Sequence, residues 1–122
     1  MKRNTAQLKE QLIQTGIDEI GKHGIEQLSL RTVAKACGVT HGSPYRHFES
    51  KEGYLKVVLT QLSLFLNQEI NENIDATGSA RDQLTRLGLN FIIFAKTYPH
   101  FFEALFIKFP FKYMKAVSYT HL

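Results

Sequence analysis

The sequence predicts an all-α protein: a three-helix helix-turn-helix domain followed by a truncated helical bundle. Three observations predict it. Apolar residues recur near period 3.6, and strand-type alternation is absent. Serines stand ahead of several apolar runs, where a helix start needs a side-chain oxygen for its free N–H groups. Gly24, Gly38, Gly78, Pro99 and Pro110 fall between the runs. At 122 residues, 43% hydrophobic and 21% charged, the chain suits one globular domain or a little more.

The first helix spans residues 6–23, with Leu8, Leu12, Ile13, Ile17 and Ile20 on one face and Gly24 as its stop. Ser29 then caps a short helix carrying Leu30, Val33, Ala34 and Cys37, ended by Gly38. A helix of about seven residues follows and runs to Phe48. Its cap is Thr40 or Ser43. With Ser43 as cap, Pro44 takes the favoured first helical position; with Thr40, it falls inside the first turn.

Ser50 opens a long helix with Leu55, Val58, Leu62, Phe65, Leu66 and Ile70. That helix fades in NENIDATGS, and Gly78 and Ser79 mark a turn. Residues 80–97 are helical again, with the apolar middle LGLNFIIFA. Pro99 suits the first turn of PHFFEALFI, and Pro110 stops it. The organisation expected is three short helices over residues 1–50, longer and more apolar helices over 51–114, and a tail over 115–122.

Charge and composition exclude several classes. The net charge is +4, and residues 29–56 alone hold +3: Arg31, Lys35, Arg46, Lys51 and Lys56 against Glu49 and Glu52. Such a local excess permits an acidic partner such as nucleic acid. The single cysteine, Cys37, excludes an internal disulfide and a multi-cysteine zinc cage. His41 and His47 are six apart, with no carboxylate or second thiol to complete a metal site. No nucleophile motif, paired carboxylates or phosphate-cradling glycine loop is present, so neither enzyme nor cofactor is expected. No apolar run approaches the roughly 20 residues of a membrane span. Without a secretory pattern at the N-terminus, cytoplasm is the expected location.

The stretch VTHGSPYRHF, residues 39–48, carries the functional signal. Two short helices joined by a glycine-containing turn form a helix-turn-helix. Gly38 can take φ > 0, and Val39 can plug between the two helices. The second helix would then enter a DNA major groove. Gly42 removes a side chain where backbone approaches DNA, and His41, Ser43, Arg46 and His47 offer donors or acceptors. Phe48 is expected to pack inward, while Tyr45 turns its hydroxyl toward a phosphate.

Residues 8–59, above all LSLRTVAKACGVTHGSPYRHFESKEGYL, resemble the DNA-binding domain of the TetR family of bacterial transcriptional regulators. The shared pattern is a serine before the second helix, then A-x-x-x-G-V-[ST], G-x-x-Y-x-H-F and S-K-E. Here it is met by Ser29, Ala34, Gly38, Val39, Thr40, Gly42, Tyr45, His47, Phe48, Ser50, Lys51 and Glu52. The resemblance implies phosphate contacts from Thr40, Tyr45 and Lys51. It implies base-edge contacts from Arg31, His41, Gly42, Ser43 and Arg46, with His47 nearer the backbone and Ser29 at the start of the preceding helix. Lys51 stands at a helix start, where a cation is disfavoured unless a phosphate sits opposite.

FIIFAKTYPHFFEALF is similar to the start of the ligand-binding region in the WHG type of the same family. That resemblance implies a small-molecule pocket lined by Phe91, Phe94, Tyr98, Phe102 and Phe106. It also implies a homodimeric repressor on palindromic double-stranded operator DNA. TetR-type chains are usually much longer, so residues 84–111 are expected to expose apolar surface. The ending KAVSYTHL resembles translated adaptor sequence and reads as a non-native tail on a truncated frame. The rival reading is a small-molecule-binding or protein-interaction bundle without sequence-specific DNA binding.

Overall fold

A computed structural model describes residues 3–108. These form six helices: α1 (Thr5–His23), α2 (Leu30–Ala36), α3 (Ser43–Phe48), α4 (Lys51–Ile70), α5 (Ala80–Thr97) and α6 (Pro99–Phe106). A 3₁₀ turn, Ile25–Gln27, joins α1 to α2. No strand occurs among the described residues. The expected stop at Pro110 and the tail over 115–122 lie outside them.

Helix starts follow capping chemistry. Asn4 opens α1 with a capping box: its side chain accepts from Gln7 N at 2.8 Å, and the Gln7 side chain accepts from Asn4 N at 3.0 Å. Ser29 and Ser50 accept from the N–H three residues on, opening α2 and α4 as expected, and Ser79, expected only as part of a turn, opens α5 in the same way. Two helices lack a side-chain cap: α6, which starts at Pro99, and α3. Neither Thr40 nor Ser43 is its cap: Gly42 is, with no side-chain hydrogen bond. The Thr40 carbonyl instead accepts from Ser43 N at 3.0 Å, a turn that uses up residues 40–42. The helix is therefore six residues long, and Pro44 sits at its second position, where a missing N–H costs nothing.

The core runs continuously through the helix-turn-helix and along α4. Leu12 and Ile20 of α1, Val33 of α2, Phe48 of α3 and Tyr54, Val58 and Leu62 of α4 are buried together. Ala104 and Leu105 of α6 close it against α1. The stripe on α4 differs from the expected one. Tyr54 and Leu59 are buried, whereas Leu55, Phe65, Leu66 and Ile70 are only half-buried. The cause is that α4 is gripped from two sides, by α1 and α3 near its start and by α5 and α6 further on.

Two polar groups fix the packing. The Tyr54 hydroxyl donates to the Leu12 carbonyl at 2.6 Å, and burial raises its pKa above the usual phenol range. Gly16 makes room for it, since a Cβ there would collide with the Tyr54 ring and hydroxyl. Asn90, inside the apolar run of α5, is buried and donates to the Ile70 carbonyl at 2.9 Å and the Glu72 carbonyl at 2.8 Å. It thereby satisfies carbonyls left open at the end of α4 and pins α5 to it.

Candidate nucleic-acid interface

The turn between α2 and α3 is a Schellman motif. Gly38 N bonds the Lys35 carbonyl at 3.1 Å and Val39 N bonds the Ala34 carbonyl at 3.0 Å. Gly38 has φ 71°, which only glycine adopts at little cost. Val39 is half-buried against the core. So the spacing of Ala34, Gly38 and Val39 is a geometric requirement: two carbonyls to satisfy, one left-handed residue and one plug.

Helix α3 is held from beneath at both ends. Pro44 is fully buried, and Phe48 packs edge-on against Tyr54 with centroids 5.0 Å apart. Between these anchors the chain turns outward: His41, Gly42, Tyr45 and Arg46 are exposed. Ser43 and His47 are half-buried. A Cβ at Gly42 would meet nothing within 4 Å, so its backbone is open to an approaching surface. Thr40, Arg31 and Lys51 are exposed on the flanking segments. Ser29 is half-buried and accepts from Thr32 N at 3.0 Å, so its oxygen is occupied by the cap.

The link from α3 to α4 is tight. Glu49 takes φ 65° and ψ −40°, and Ser50 N reaches the Phe48 carbonyl at 2.7 Å, a strained γ-turn. Gly53 then passes so close to the Phe48 carbonyl that a Cβ there would overlap it. Pro44, Gly53 and Tyr54 therefore set the pose of α3; the sequence marks Pro44 at the helix start but not as a buried anchor, and Gly53 and Tyr54 were missed. Lys9 of α1, also missed, places its ammonium 5.8 Å from the Phe48 ring centroid.

The electrostatics of this face are one-sided. Arg31, Lys35, Arg46, Lys51 and Lys56 have no ion-pair partner among the described residues, where the pairs are His23–Glu19, His100–Glu103 and Lys108–Glu26. Lys51 is the first residue of α4, so its charge adds to the positive end of a 20-residue helix.

Residues 12–58 match the family model for bacterial regulatory proteins of the tetR family. The helix-turn-helix region thus carries a TetR-family match. Among curated relatives, a probable acrEF/envCD operon repressor of Escherichia coli is 36% identical over 50 residues, covering 41% of this chain and 23% of its own length. The HTH-type transcriptional repressor KstR2 of Mycolicibacterium smegmatis is 28% identical over 82 residues, covering 67% of this chain and 40% of its own. The fold of a TetR-family transcriptional regulator from Haemophilus influenzae aligns with a TM-score of 0.61 at 21% identity, over 85% of this chain and 57% of that one. This chain thus spans well under half the length of those two repressors.

The five aromatic residues expected to line a TetR-type pocket separate into two groups. Phe94 and Tyr98 join Phe65, with ring centroids 6.0 and 5.1 Å from it. Phe91 and Phe102 instead face Phe106, at 5.9 and 4.8 Å. A cleft of about 300 Å³ between α4 and α5 takes in Phe94 and Tyr98 but not the other three. No helix among the described residues is long and apolar enough to cross a membrane.

Proposed function

We propose that the chain is a DNA-binding transcriptional regulator that reads an operator with α3. One observation carries this reading: α3 is clamped from below by Pro44 and Phe48 while His41, Tyr45 and Arg46 face outward beside unpaired cations. Thr40, Tyr45 and Lys51 grip phosphates, which set register without reading sequence. Arg31, His41, Ser43 and Arg46 reach base edges, and Gly42 lets the backbone come close. His47, half-buried, stays near the backbone, and Ser29 holds the start of α2. The names of the curated relatives, two of them repressors, support the same reading and favour repression.

The finer parts of the proposal are a homodimer on palindromic DNA, a small-molecule effector held by the helices after Lys51, and a cytoplasmic location. The domain division falls at residue 50, where α3 ends and α4 begins. An effector works by favouring one spacing of two recognition helices over another. No catalytic step enters this reading.

The test is selection from a randomised DNA pool by the full chain at two salt concentrations. The expected outcome is an enriched site whose affinity falls as salt rises, because bound phosphates release counterions. A palindrome supports the dimer; a single half-site supports the reader without it. Salt-dependent binding with no enriched sequence would rule out sequence-specific reading by α3.

A further inference from the structure

Helix α5 uses only one of its faces. Asn90 and Phe94 are buried and turn toward α4, Asn90 through its bond to the Ile70 carbonyl and Phe94 against the Phe65 ring. On the other side, Asp82, Thr85, Leu89, Ile92 and Lys96 follow one another at alternating steps of three and four residues, and all of them are exposed. That spacing keeps them in one stripe along the helix, as in a helix-pairing seam. The Thr85 hydroxyl donates to the Arg81 carbonyl at 2.8 Å, so it is satisfied within its own helix and leaves its methyl group for a neighbour. The stripe therefore has an apolar centre, widened by Ile93, and a charge of opposite sign at each end. Asp82 lies in the first turn and Lys96 in the last. Neither has an ion-pair partner among the described residues.

We propose that this stripe docks on α5 of a second copy of the chain, with the two helices antiparallel. The pattern of charge selects that occupant and that direction. Parallel helices would set Asp82 against Asp82 and Lys96 against Lys96. Antiparallel helices can place Leu89 of each copy opposite Ile92 of the other. Lys96 then stands opposite Thr85 of the second copy, three residues or about 4.5 Å along the axis from the Asp82 carboxylate there. A lysine side chain spans that offset. Two-fold symmetry repeats every contact, so the interface closes at two copies. Arg86 stays clear of the seam, on the flank toward α4, where it lines a cleft with Glu69 and Glu72.

Only one helix from each copy takes part. The buried area therefore falls below the roughly 1,200 Å² of stable interfaces, and the Kd is expected on the order of 10⁻⁵ M. In dilute solution the face is open. The inference rests on the homodimer of the reading above and gives it an interface; it does not depend on DNA.

The test is sedimentation equilibrium of the full chain without DNA, in low salt, at concentrations on either side of that Kd. The native chain is expected to pass from monomer to dimer and no further. Asp82→Lys and Lys96→Asp should each weaken the dimer about tenfold, because two exposed attractions become two repulsions. The double variant should restore it. Leu89→Lys should leave monomer only. These positions are exposed, and far-UV circular dichroism checks that each variant keeps its helices. A dimer that ignores all three charge variants keeps the homodimer but overturns this interface. A native chain that stays monomeric overturns both, and one that grows past the dimer overturns the closed antiparallel pair. DNA reading by α3 is judged separately, by the pool selection.

Discussion

The two halves of the chain handle their apolar residues in opposite ways. From α1 to the middle of α4, large apolar side chains point inward and the cations point out, Tyr45 being the exposed exception. In α5, in α6 and just after it, Leu84, Ile92, Ile93, Phe106 and Ile107 are exposed, with Leu84 at 70% and Ile107 at 65%. The first half is thus closed, with Ala104 and Leu105 of α6 completing its core, and its outward groups are polar and chemically specific. The second half is satisfied along α4 and where α6 meets α1, and its outer face is one that no other described residue covers. Function is correspondingly easier to read from the first half.

Tyr54 is the sharpest test of that closure. Tyr54→Ala removes a fully buried ring and its bond to Leu12, and should destabilise the chain by about 3–5 kcal/mol. Tyr54→Phe keeps the ring and should cost only about 1 kcal/mol. Denaturant unfolding of the two variants distinguishes them. If Tyr54→Ala unfolds like the native chain, the first half is not organised around this residue.

Gly53 comes next. Gly53→Ala drives a methyl group into the Phe48 carbonyl, so the α3–α4 junction must open, at a cost of about 1–3 kcal/mol. The decisive readout is the pose of α3, not stability. DNA affinity should fall by more than the unfolded fraction explains, and Phe48 and Tyr54 resonances should move. Unchanged DNA binding would mean that the junction does not position α3.

Much of this first half was legible in the sequence because helix periodicity and capping are local signals. Gly38 and Val39 announce their Schellman turn, and Ser29 and Ser50 their caps. The start of α3 was not legible, because no side chain caps it and a backbone turn from Thr40 does the work instead. Tyr54 lies on a four-residue stripe with Val58 and Leu62, but Leu55 beside it is the more apolar choice, and only the approach of α1 decides between them. Asn90 reads as an interruption in LGLNFIIFA until the carbonyls of Ile70 and Glu72 are seen to need a donor. Those facts live in tertiary contacts, which a local pattern does not contain.

Arg46 and Lys51 test the division of work on the outward face. Arg46→Ala should change preference at particular base pairs, by about 1–3 kcal/mol at the position it reads. Lys51→Ala should weaken every sequence alike and reduce the slope of log affinity against log salt by about 0.9. Equal losses on every sequence for both variants would show that the two residues do one job, and the assignment of Arg46 to bases would be withdrawn.

The smallest stability effect belongs to the second half. Ile92 and Ile93 are 56% and 55% exposed, so Ile92→Ser with Ile93→Ser removes little buried area. Each change should alter stability by no more than about 0.5 kcal/mol, the usual range for surface positions. Solubility should respond far more, because contiguous exposed apolar surface promotes association. Light scattering against concentration, for the native chain and the double variant, reads that difference. A large loss of stability would instead mean that these isoleucines are already covered, by a second copy or by residues beyond 108. The contrast between a closed half and an open one would then describe the isolated helices and not the protein in solution.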